Sequence, residues 1–176
     1  MNAVASYGMV FGLMIGLVIA VILLKFANKD HRFKTQYDER QESIKGRGYK
    51  YSFYTLACLE AALAILEVGD ISFGIERYLV HFIVLLISFA VLCVHSIWNG
   101  TYWGLNNNRK RYTAIIVIAI ALNLIPVIAS IANGTLAKEG FNSLPLLNVI
   151  VLIWMAVIGI CALVKKAFDT KENEED

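Results

Sequence analysis

Charge is scarce in this chain of 176 residues: 17% of it is Asp, Glu, Lys or Arg, where a soluble domain carries about a quarter. The few charges are also gathered between long apolar runs, not spread along amphipathic faces, which excludes an ordinary soluble domain and leaves no room for a separate one. Cysteine is sparse too. Cys58, Cys93 and Cys161 each fall inside an apolar run, no two have metal-ligand spacing, and none lies in a loop, so no disulfide framework is expected. Reaction motifs are missing altogether: no H-E-x-x-H, C-x-x-C, P-loop, dinucleotide fingerprint or G-x-S-x-G elbow occurs. The sequence therefore implies no catalytic residue, cofactor or metal, and it does not point to an enzyme.

What is present is hydrophobic length, with 58% of the residues apolar or aromatic. Five runs stand out, at residues 4–26, 49–69, 78–98, 112–133 and 144–164. Each is about 20 residues long, enough at about 1.5 Å per residue to cross a hydrocarbon core of about 30 Å. Backbone groups in lipid must satisfy one another, and these runs lack the alternation a barrel needs, so the expected fold is an all-α integral membrane protein with five transmembrane helices. Residues 1–176 form a single membrane domain, with a cytoplasmic loop at 27–48 and an acidic C-terminal tail at 165–176. The first run is too long for a signal-peptide core and has no basic residue before it, so it is read as a retained span.

Orientation follows from the cations. Lys25, Lys29, Arg32, Lys34, Arg40, Lys45, Arg47 and Lys50 fall between the first two runs or at their facing ends, Arg109, Lys110 and Arg111 after the third, and Lys165, Lys166 and Lys171 after the fifth. The other two connections hold only Arg77 and Lys138. Fourteen against two, on alternating sides, predicts an N-terminus outside and a C-terminus in the cytoplasm. Tyr49, Tyr51, Tyr54, Trp98, Tyr102, Trp103 and Tyr112 gather at the inner boundary and Tyr7, Tyr78 and Phe141 at the outer one, where such rings anchor depth.

Polar residues inside the spans are the candidates for function. Glu60 lies about 16 Å along the helix from Tyr49, a mid-depth position where an acid costs a few kcal/mol unless it is protonated or paired. It is a candidate proton carrier or ligand for a cation, against the plainer role of an interhelical hydrogen bond. Asn123 lies at a matching depth from Tyr112 and is a candidate partner, with Pro126 close by to free a backbone carbonyl and kink the helix. Glu67, seven residues beyond Glu60, shares nearly the same face and can reach His81 across a short outer turn. His95 lies about 21 Å from His81 along one helix, so the two cannot share a metal ion. Gly8, Gly12 and Gly16 form a small-residue stripe for close helix packing, against another span or against a second copy in a homo-oligomer. Asn99-Gly100-Thr101 and Asn133-Gly134-Thr135 match glycosylation sequons at the membrane edge and are read as chance matches.

The segment 34–50 carries both signs of charge at helical spacing and is expected to form a short surface helix broken near Gly46 and Gly48. Its cations suit anionic lipid headgroups, and its acids argue against nucleic acid. Within it, Tyr37-Asp38-Glu39-Arg40-Gln41 followed by Gly46-Arg47-Gly48-Tyr49-Lys50-Tyr51 resembles a cytoplasmic-loop signature of small uncharacterised multi-span membrane proteins of Gram-positive bacteria. The resemblance covers roughly residues 28–55 and implies a bacterial plasma membrane, with no activity or catalytic residue to carry over. Asp38, Glu39, Arg40 and Gln41 are then either a cap on helix ends or a docking surface for a cytoplasmic partner.

Three functions are expected, in order. The first is binding or transport of a small polar, cationic or amphipathic ligand in a cavity containing Glu60, with Glu67, His81 and Asn123. The second is a non-catalytic interaction, immunity or stress-response factor acting through helix packing and the loop. The third is an intramembrane enzyme, which needs an acid and a histidine to converge.

Overall fold

The computed structural model describes residues 3–71, 73–134 and 144–175. Among these residues five helices follow in order: α1 (Ala3–Ala27), α2 (Glu39–Val68), α3 (Arg77–Trp98), α4 (Arg109–Ala132) and α5 (Leu144–Glu175). The described residues contain no β-strand, only an isolated bridge between Asn28 and Asn107. α2, α3, α4 and the Pro145–Thr170 part of α5 are long and apolar enough to cross a membrane, and α1 contributes a shorter apolar stretch, Met14–Ala27. The fold is that of a multi-pass, membrane-embedded helical protein. Lys138, Phe141 and Thr135 lie outside the described residues, as do the surroundings of Tyr7, Gly8 and Gly12.

Two segments are more helical than the sequence suggests. α2 starts at Glu39 and runs unbroken through Gly46 and Gly48, so the surface helix and the second span are one element and the loop before it ends at residue 38. A helical glycine costs about 1 kcal/mol relative to alanine. Gly48 offsets this by letting α3 approach, as described below, and Glu39 and Glu42 suit the positive end of the helix dipole. α5 likewise continues beyond residue 164, supported by an ion pair between Lys165 and Asp169 one turn apart. Pro126 stays inside α4, and Pro145 sits in the first turn of α5, where a missing N–H is harmless.

The stops are local. After α3, Gly100 (φ +67°) lets its N–H reach Ile97 O at 3.1 Å while Thr101 N–H reaches Ser96 O at 2.8 Å. This pair is a Schellman stop. Thr101 is buried, so the first apparent sequon has a structural reason of its own. After α2 the same pattern uses Asp70 (φ +53°), with Asp70 N–H on Glu67 O and Ile71 N–H on Leu66 O.

The chain divides into two compact units, Met1–Asp38 with Trp103–Ile118, and Glu39–Tyr102 with Ala119–Asp176. In the first, residues 28–38 are clasped to residues 104–108. Asn28, fully buried, donates its amide to Arg32 O at 2.7 Å and accepts from the Asn107 amide at 2.7 Å. Asn106 donates to the Asp30 carboxylate and to Lys34 O, and its own oxygen accepts the Gln36 N–H at 2.8 Å. Backbone bonds from Lys29 N–H to Asn106 O, Leu105 N–H to Gln36 O and Asn108 N–H to Ala27 O complete the seam. Arg111 donates to Phe26 O at 3.1 Å, close to the basic end of α1. Buried amides of this kind are costly unless satisfied, so each partner holds the next in place.

Two outcomes follow for the clasp. A methyl at Gly104 would stand 2.2 Å from Thr35 Cγ2 and 2.7 Å from Gln36 O, so Gly104→Ala should loosen the seam by about 1–3 kcal/mol. Limited proteolysis should then cut within 28–38 far faster, with helical content unchanged; an unaltered cleavage rate contradicts the seam. Desolvation pushes the Asp30 carboxyl up, but the Arg32 N–H, the Asn106 amide, its own N–H and the Arg32 charge outweigh it and hold the group below its ordinary value. A carboxyl lowered on folding stabilises above its unfolded pKa of about 3.9 and loses that contribution as pH falls through the folded value. Exchange protection of the Lys29 and Gln36 amides should therefore fall on acidification below about pH 4, and Asp30→Asn should remove that dependence.

Candidate functional site

In the second unit α2 and α3 form an antiparallel hairpin held by three layers. In the first, an added Cβ on Gly48 would lie 2.9 Å from His95 Nδ1 and 3.2 Å from Leu92 Cδ1. Only a glycine lets the histidine ring lie against α2, and Tyr51 meets that ring edge-on at 5.5 Å. Among the described residues, no hydrogen-bond partner reaches the buried His95 Nδ1. In the second layer Ser52 and Ser88 are both buried and bond reciprocally. Ser52 Oγ donates to Ser88 O at 2.9 Å, Ser88 Oγ donates to Ser52 O at 2.8 Å, and the hydroxyls are 2.8 Å apart. Small residues four apart, Gly48 and Ser52, supply the close approach and the hydroxyls supply the polar link.

The third layer follows from that register. Glu60 lies eight residues beyond Ser52, and His81 lies seven before Ser88, so the two arrive within about 1.5 Å of one level. His81 Nδ1 is 2.8 Å from Glu60 Oε2, and His81 Nε2 is 3.4 Å from Glu67 Oε1. One imidazole thus bridges two carboxyls that sit two turns apart on α2. The three side chains are about 40% exposed. Glu60 is about 12 Å of helix from the α2 end, and His81 about 6 Å from the α3 start, so the cluster belongs to the turn end of the hairpin. Beyond it a hollow of about 60 Å³ is lined by Glu67, Asp70, Phe73 and Arg77 among others.

Hydrogen counting limits the charge of this cluster. Each nitrogen–oxygen contact needs one proton, and a neutral imidazole supplies only one. The arrangement is therefore either an imidazolium between two carboxylates or a neutral imidazole beside one carboxylic acid. Both carry a net charge of about −1, and they interconvert by moving a proton along the bridge. No group of three His, Cys, Asp or Glu among the described residues could hold a metal ion.

The other candidates are placed apart. Asn123 donates its amide to Ala119 O of its own helix at 2.8 Å, and Glu60 meets His81 instead. His95 lies with Gly48 and Tyr51, away from His81. Gly16 is exposed with nothing within 4 Å of where its Cβ would be, and Glu39, Arg40 and Gln41 form the first turn of α2 immediately after Asp38. Cys58, Cys93 and Cys161 are free thiols. Ser52 and Ser88 are the positioning residues that hydropathy missed. The readable signal was the Gly48–Ser52 spacing, which repeats the four-residue pattern of the α1 glycines.

The hairpin should respond to substitution in a definite order. Ser52→Ala leaves Ser88 bonded to the residue-52 carbonyl and should cost about 0.6 kcal/mol, the usual worth of such a bond in lipid. Gly48→Leu forces α3 away from α2 and should cost about 1–3 kcal/mol. Thermal unfolding in detergent checks this ordering, and a Ser52→Ala loss larger than that of Gly48→Leu contradicts it. No known protein family, curated protein or solved structure matches the chain, so its chemistry is read from its own residues.

Proposed function

We propose that the protein is a five-span bacterial plasma-membrane protein, N-terminus outside and C-terminus cytoplasmic, that binds or transports a small cationic compound at Glu60, His81 and Glu67. One observation carries this reading: the His81 imidazole held between two carboxyls. A cluster of net charge about −1 in a low-dielectric setting attracts a single positive charge strongly, and it can exchange that charge for a proton. Polar or amphipathic amines suit it best, with the hollow beside Glu67 as the entry. Asn123, engaged within α4, has no part in the first contact. The orientation is supported by the basic residues at 25–50, 109–111 and 165–171, and the bacterial setting by the resemblance of residues 28–55.

A second reading, an interaction or immunity factor, is favoured by the order of the 28–38 clasp against residues 104–108, which offers a cytoplasmic partner a shaped surface. The open face at Gly16 would suit a second copy of the chain.

The test uses purified protein in liposomes loaded with a pH-sensitive dye. Adding methylammonium or tetramethylammonium outside should drive proton movement coupled to cation entry or binding. Glu60→Gln and His81→Gln should each weaken it about tenfold or more, as loss of one charged contact worth about 1.4 kcal/mol implies. Unchanged coupling in both variants contradicts the proposal and favours the interaction reading.

A further inference from the structure

Beyond the triad, the hollow of about 60 Å³ carries charge of both signs. Glu67 and Asp70 line it from the end of α2 and the turn that follows, and Arg77 lines it from the start of α3. Leu66, Phe73 and Val80 add apolar surface. One water needs about 10–15 Å³ of such space, so roughly four to six atoms of that size fit.

Arg77 stands where a cation is locally unfavourable. It is the first residue of α3, at the positive end of the helix dipole, and the first turn contains no acid. Glu76, just before it, makes no side-chain bond to the helix end. Among the described residues Arg77 forms no ion pair with Glu67, Asp70 or Glu76. It precedes His81 by four residues, which puts it on the triad's face of α3, one turn nearer the loop. Across the hollow, Glu67 is the more loosely held of the two triad acids, 3.4 Å from His81 against 2.8 Å for Glu60. A hollow that keeps a guanidinium and two carboxyls apart suits a small molecule bearing both charges. The acids can take an ammonium, and the guanidinium fork can take a carboxylate through two parallel N–H bonds.

We propose that the ligand of the Glu60, His81 and Glu67 site is a small zwitterionic amino acid, of the bulk of glycine or β-alanine, with its ammonium at Glu67 and its carboxylate at Arg77. Such a ligand requires the triad to act as the cation site proposed above, and Arg77 adds recognition of the anionic half. Arg77 is then the specificity-determining residue that separates an amino acid from a simple amine.

The experiment measures retention of radiolabelled methylammonium by the purified full chain in liposomes, with unlabelled methylammonium, glycine or acetate as competitor. Glycine should displace the label at a concentration about tenfold lower than methylammonium does, the worth of one further charged contact. Acetate, which lacks the ammonium, should compete more weakly than either. Arg77→Gln should erase the glycine advantage while the variant holds methylammonium at least as well, and Arg77→Lys should keep part of it. A merely structural or repulsive Arg77 would move both competitors together. Retained methylammonium with glycine no better a competitor, or a glycine advantage that survives Arg77→Gln, overturns the amino-acid ligand and leaves the cation site standing. Failure of the unaltered chain to retain methylammonium overturns both.

Discussion

The reciprocal bond between Ser52 and Ser88 sets the register of the α2–α3 hairpin, and the candidate site exists only in that register. Two hydroxyls that each donate to the other helix's backbone accept very little sliding, since a shift of one residue would leave buried polar atoms unpaired. The glycine one turn before Ser52 makes the distance short enough for the bond to form. Seven and eight residues farther along the two helices, the same register brings Glu60 and His81 to one level. Packing at one end of the hairpin therefore decides the chemistry at the other.

The result is a polar cluster whose parts are individually unfavourable in a membrane and jointly stable. Glu60, Glu67 and His81 each carry a cost that pairing relieves, and the bridging imidazole serves both acids at once. The bridge needs two protons, and with both in place the cluster holds a net charge of about −1. The first unit shows the same principle between loop segments. Asn28, Asn106 and Asn107 satisfy one another and the surrounding carbonyls, so a segment with little hydrophobic content still has a defined shape.

Hydropathy and charge carried the helical class and four of the long apolar helices, because the period and length of apolar residues follow directly from the solvent. The contact between Glu67 and His81 was legible from the short turn that joins their helices. The partner of Glu60 was not. Depth along a helix matched it to Asn123, but depth says nothing about which helix is the neighbour, and Asn123 bonds within its own turn. The surface-helix boundary at Gly46 and Gly48 was misplaced for a related reason: glycine reads as a break when a close helix contact is not yet known, and Gly48 has one. The asparagine clasp left no periodic trace, since its bonds join loops some 70 to 80 residues apart.

The chemistry of the site depends on His81 bridging Glu60 and Glu67. Solid-state ¹⁵N spectroscopy of the protein in bilayers, with His81 assigned by comparison with the other two histidines, reads both ring nitrogens directly. Two hydrogen-bonded nitrogens are expected, with Nδ1 changing in Glu60→Gln and Nε2 in Glu67→Gln. A His81 spectrum with one free ring nitrogen, indifferent to both substitutions, would contradict the bridge and the function built on it.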